Sequence, residues 1–125
     1  MNRHDSEQIA RVITDYLTSW YSGDHAIMAA CLHPSLIKRR LATDRDGGLQ
    51  YLNCLQRDEM IAATEAGLGV ARSNRFKGVD VVVFAITGDI ATAQATTGEW
   101  IDYLHLVRSQ EGWKIVNCLY SASAE

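Results

Sequence analysis

The chain has 125 residues, 47% hydrophobic and 22% charged, which suits one buried core and not two. Twelve Lys and Arg against 15 Asp and Glu leave a net charge of -3, without the basic footprint that grips a phosphate backbone, so no nucleic-acid partner is expected. Apolar runs such as Ile27 to Leu32 and Val81 to Ile86 are far short of the roughly 20 residues that cross a bilayer; with no apolar leader in Met1 to Gln8, a cytoplasmic chain with no membrane contact is expected.

Asp5 followed by Gln8 has the form of a capping box. Apolar residues then recur at Ile9, Val12, Ile13, Tyr16, Leu17 and Trp20, the spacing of an amphipathic helix. Gly23 can end that helix in the left-handed conformation, and Asp24 can cap a second one carrying Ile27, Met28, Cys31 and Leu32. Pro34 turns His33 away from helical angles and closes it. Leu36 to Leu41 and Leu49 to Leu55 flank the turn-rich Thr43-Asp44-Arg45-Asp46-Gly47-Gly48 and read as two short strands. Arg57-Asp58-Glu59-Met60-Ile61 opens a third helix that should end at Gly67 or Gly69, with an acidic residue placed to cap it.

The second half changes character. Val79 to Ile86, Ile90 to Thr97, Trp100 to Arg108 and Trp113 to Tyr120 are four strands joined by short turns, an antiparallel meander, so the fold class is α+β. If Arg108 pairs with Trp113, simple alternation puts Asp102, Leu104, Leu106, Ile115, Asn117 and Leu119 on one face, with Ile101, Tyr103, His105, Val107, Val116, Cys118 and Tyr120 on the other. Neither face is polar enough for water. The helices can cover one, and a second copy of the chain is the economical cover for the other, which makes Tyr103, His105, Val116 and Tyr120 the expected homodimer surface.

Cys31, Cys54 and Cys118 are read as reduced, with Cys31 and Cys118 in the core. No Cys-x-x-Cys, His-Glu-x-x-His or His-x-His spacing is present, so neither metal nor cofactor is expected. Asp102 carries the sharpest chemical signal, because a carboxylate on an apolar strand face must be ion-paired, hydrogen-bonded or held protonated. An arginine of the Lys38-Arg39-Arg40 run is one source of such a pair; that run otherwise reads as a solvated strand end or a lure for an anionic ligand. Asn117 reads as a structural amide or a ligand contact. Trp20 and Trp100 read as core or as platforms for a ring. His33 either ends its helix and bonds the backbone or serves as a general base.

The residues Trp20-Tyr21-Ser22-Gly23-Asp24, Leu32-His33-Pro34, Lys38-Arg39-Arg40, Trp100 to Leu106 and Gly112 to Asn117, in this order and spacing, resemble the NTF2-like superfamily, which includes ketosteroid isomerases and SnoaL-type cyclases. Within it the likeness is greatest to the group named "putative lumazine-binding". The resemblance implies a cone of three N-terminal helices on a curved antiparallel sheet, a pocket in the concavity and homodimers through the sheet. In ketosteroid isomerases a tyrosine and a protonated aspartic acid donate to a developing oxyanion while a second aspartate moves the proton. Aligned on Gly23-Asp24, Tyr16 falls at the tyrosine and Asp102 near the strand acid. The base position falls at or beside Arg40, which cannot accept a proton. The expectation is therefore a binding protein for a small apolar or heterocyclic molecule, held by Tyr16, Trp20, Trp100, Asp102 and Asn117. The competing expectation is an isomerase, cyclase or dehydratase using Asp102, His33 or Tyr16.

Overall fold

The computed structural model describes residues 2–123. Helix α1, Arg3–Ser22, starts three residues before the proposed capping box: Asn2 is the cap, its side chain accepting from the His4 and Asp5 amides at 2.9 and 3.2 Å. Asp5 instead receives Arg108 at 2.8 Å. Gly23 closes α1 at φ 76°, and Asp24 caps α2, His25–Cys31, through the Ile27 amide. Helix α2 ends earlier than the proline would require, because Leu32 is already extended and paired with Ile115.

Strand β1, Leu32–Thr43, and β2, Gln50–Gln56, form a hairpin, followed by α3, Arg57–Glu65. The third helix is capped by Gln56, whose amide donates to Glu59 at 2.9 Å, and stops short of both Gly67 and Gly69. A short 3-10 helix, Val70–Arg75, had no counterpart among the expected elements. The meander then runs through β3, Asp80–Thr87, β4, Ile90–Thr96, β5, Trp100–Ser109, and β6, Gly112–Ala122.

All six strands form one curved, unclosed sheet in the order β2-β1-β6-β5-β4-β3. The seam between β1 and β6 is parallel, a departure from the wholly antiparallel sheet anticipated. Pairing along it breaks between Leu32 and Ile37, where Pro34 has no amide proton to give. The helices fill the concave side. Ile9, Ile13, Leu17, Met28, Met60, Leu104, Leu106 and Ile115 make a continuous core there, and Ala91, Ala93 and Ala95 are small enough to lie flat beneath it. Among the described residues no helix is long and apolar enough to cross a membrane.

Arg108 does pair with Trp113, but simple alternation fails further along the hairpin. Leu106 faces Ile115 whereas His105 faces Asn117, so Val116 is an extra residue, a bulge in β6. One added residue reverses every side chain beyond it. Cys118 and Tyr120 therefore join Asp102 on the concave side, while Asn117 and Leu119 turn outward beside His105 and Tyr103. Tyr120 is thus no part of the outer surface to which it was assigned.

Candidate functional site

Four elements converge at the wide part of the concavity. Alternation along β1 sends Lys38 and Arg40 inward and Arg39 outward. Helix α1 brings Tyr16, β5 brings Trp100 and Asp102, and the bulged end of β6 brings Cys118 and Tyr120. Asp102 is 1% exposed and Tyr16 equally so. Asp102 Oδ2 accepts from the Tyr16 hydroxyl at 3.2 Å and from Cys118 Sγ at 3.3 Å, and lies 3.9 Å from Lys38 Nζ. The Lys38 ammonium also donates to the Tyr16 hydroxyl and stacks on Tyr120, 4.3 Å from its ring centre. The buried carboxylate is therefore paired with a cation of the Lys38-Arg39-Arg40 run, though with the lysine and not an arginine.

This geometry changes what Tyr16 and Asp102 can do. In the isomerase arrangement both donate outward to one oxyanion. Here the tyrosine proton points at the aspartate, and every neighbour of Oδ2 is a donor. Burial, and after it the Asp102 charge, raises the Tyr16 phenol well above its ordinary 10.0 and the Cys118 thiol well above its ordinary 9.0. Neither can act as base or nucleophile near neutral pH.

Two further groups behave alike: burial pushes Cys31 and Tyr21 up to about 12. The unfolded chain releases these protons at about pH 9 to 10 and the folded chain holds them. Their stabilising contribution is complete below about pH 9 and is lost as pH rises through the folded values. The urea midpoint should be level between about pH 7 and 8.5 and fall measurably by about pH 10.5; a midpoint unchanged at the alkaline end contradicts these assignments.

Beyond Asp102 the site widens toward Trp100, set edge-on to Tyr120 with centroids 5.4 Å apart. Arg40 lies over both rings, at 5.9 and 6.0 Å, and Arg72 from the 3-10 helix lies 5.8 Å from Trp100. Two recesses flank this group. One of ≈ 930 Å³ is lined by Arg40, Ala42, Tyr51 and the β1–β2 turn; one of ≈ 420 Å³ is lined by Trp100, Arg72, Lys77 and Glu99. Glu99 ties the rim together, accepting from the Tyr21 hydroxyl at 2.7 Å and pairing with Arg72, with Arg75 at 3.9 Å.

Tyr16, Asp102 and Trp100 thus share the concavity, and Trp20 lies one turn beyond Tyr16 on α1, half-buried against the core. Asn117 does not join them. It sits on the outer face, taking Arg39 at 3.0 Å and bonding His105 at 3.2 Å. His33 is also apart: its Nδ1 accepts the Ser35 amide at 3.0 Å, and it lines a separate recess with Ala29, Arg57 and Lys114. Lys38, Tyr120 and Glu99 were not singled out from the sequence as site residues. For Lys38 the signal was available in the alternation Leu36, Lys38, Arg40, two charges in phase with a core leucine.

The family described as "Putative lumazine-binding" matches residues 4–121. No curated protein matches the sequence. Among solved structures, an NTF2-like protein of unknown function from Silicibacter pomeroyi superposes with a TM-score of 0.71 at 17% identity, over 98% of this chain and 100% of that one. An NTF2-like protein with a cystatin-like fold from Novosphingobium aromaticivorans gives 0.67 at 16% identity, over 97% and 83%. One described as a putative dehydratase of the NTF2-like family, from Streptomyces avermitilis, gives 0.60 at 13%, over the whole of both chains. At these identities the structures speak for the fold alone, whereas the match over residues 4–121 speaks for the lineage: the chain belongs to the "Putative lumazine-binding" family and has the NTF2-like fold.

Proposed function

We propose that this protein binds a small ring-bearing molecule at the wide end of its concavity, against Trp100 and Tyr120. The observation that carries the reading is the contrast along the cleft. The deep polar groups Tyr16, Lys38, Asp102 and Cys118 satisfy one another, whereas Arg40 and Trp100, both packed on Tyr120, each line a recess large enough for a ligand. The family description favours a heterocycle as the first ring to test. Calorimetric titration against flavin precursors, pterins and steroid-like rings should give saturable binding to at least one class, and silence across the whole panel overturns the reading.

The outer face supports a second copy of the chain as partner. Val82, Phe84, Ile90, Tyr103 and Leu119 are each more than half exposed there, alongside His105 and Val116. Sedimentation velocity on the titrated sample should give twice the chain mass; a monomer at micromolar concentration removes the dimer.

A proton-transfer enzyme is the second reading, favoured by the buried Tyr16–Asp102 contact and by the dehydratase description of the Streptomyces structure. Against it stand Arg40 at the expected base position and a Tyr16 proton already committed to Asp102. It requires Asp102→Asn to lose turnover of a ligand found in the panel; unchanged turnover excludes Asp102 from any such step.

A further inference from the structure

Among the partly buried cations at the site each has its counterpart except one; Arg45 and Lys77, on the rims of the two recesses, are exposed. Lys38 has Asp102, and Arg72 and Arg75 have Glu99. Arg40 has no hydrogen-bond or ion-pair partner among the described residues, and its Nε is sealed from solvent. Two aromatic faces are all that hold it. Removing an arginine nitrogen from water without an acceptor is costly, and ring faces offset only part of the loss. The acidic groups nearby do not answer it. Asp44 and Asp46 line the same recess, but the Asp44 carboxylate accepts the Asp46 amide at 3.1 Å and neither reaches Arg40. Glu99 is occupied by Tyr21, Arg72 and Arg75.

We propose that Arg40 is the anion-binding group of this cleft and that the ligand is a planar aromatic monocarboxylate, its carboxylate on the guanidinium and its ring on Trp100 and Tyr120. The inference rests on the reading of the cleft as a ligand site and adds the chemical class. A guanidinium offers the two parallel donors that a carboxylate accepts, and it keeps its charge when partly buried. A single carboxylate suits the single fork that Arg40 offers; around the two recesses Asp44, Asp46 and Glu99 are offset by Arg45, Arg72, Arg75 and Lys77, so the one fork and not the surrounding charge favours a monoanion. The position that in an isomerase would bear a proton acceptor here bears the fixed positive charge to which a substrate acid or its product would bind.

The test compares 2-naphthoate with its neutral counterpart 2-naphthamide on the unmodified protein, followed by quenching of tryptophan fluorescence and by calorimetry at low salt. Naphthoate should bind roughly tenfold or more tightly than the amide. That ratio should collapse toward one in Arg40→Gln and fall part of the way in Arg40→Lys, which keeps the charge and loses the fork. Equal binding of the two probes to the parent protein overturns the anion site and leaves the ligand cleft standing. An undiminished ratio in Arg40→Gln overturns the assignment to Arg40. Absence of binding by either probe at millimolar concentration sinks the carboxylate proposal; the wider heterocycle and steroid panel then decides separately whether the cleft binds anything. The first comparison needs no variant, so a poorly folding Arg40→Gln protein does not protect the proposal.

Discussion

Asp102→Ala should destabilise the fold by about 3–5 kcal/mol, because it strands a lysine ammonium whose side chain is 12% exposed and strips the acceptor from Tyr16 and Cys118. For a domain of this size the melting temperature should fall by more than about 10 °C. The instructive partner is the double variant Asp102→Leu with Lys38→Met. Replacing a buried ion pair by apolar groups of similar volume removes both desolvation costs at once, so this protein should recover at least half of the loss. The Tyr16 hydroxyl, left without either neighbour, limits the recovery by about 1–3 kcal/mol. Thermal melts of the parent, Asp102→Leu, Lys38→Met and the double variant decide the matter. Strictly additive losses would show that Lys38 and Asp102 do not depend on one another and that the inner cluster has been misjudged.

Gly69→Ala should be nearly as damaging for an unrelated reason. Gly69 has φ -73°, a conformation open to any residue, so its backbone does not call for glycine. Space does: a Cβ there would stand 2.1 Å from the Trp20 carbonyl oxygen and 2.8 Å from the indole Cδ1. Neither the backbone of α1 nor a half-buried tryptophan can yield cheaply, and a cost of about 3 kcal/mol is expected. The displaced segment leads into the 3-10 helix that carries Arg72 to Glu99, so ligand affinity should fall together with stability. Gly78→Ala is the comparison. At φ 86° with nothing nearby it should cost only about 1 kcal/mol and leave binding alone. Urea unfolding of both variants checks the order; a Gly69→Ala protein as stable as Gly78→Ala would show that the turn moves freely off the helix.

Much of this was readable from periodicity. Ile9, Ile13, Tyr16 and Leu17 recur at helical spacing because one stripe of α1 faces the sheet, and Gly23-Asp24 announces a stop and a start in two residues. Asp102 was conspicuous because a carboxylate among strand leucines cannot be left without partners. What escaped was whatever depends on one residue more or less. A bulge at Val116 leaves no compositional mark, since valine is equally at home in a regular strand, yet it exchanges Asn117 for Cys118 and Tyr120 on the concave side. The parallel seam was hidden for a related reason: it joins strands far apart in the chain, and local patterns say nothing about distant neighbours. Lys38 fell between the two, legible in phase with Leu36 but masked by the two arginines that follow it.

That seam bears on how the chain reaches its final state. Arg39 meets Leu119 only after the whole meander between them has been made, so the hairpin of β1 and β2 must wait with one edge unsatisfied until the last strand arrives. On a ribosome this postpones completion of the sheet until β6 has emerged, and in a refolding experiment it places closure late and makes the waiting edge the vulnerable point for aggregation.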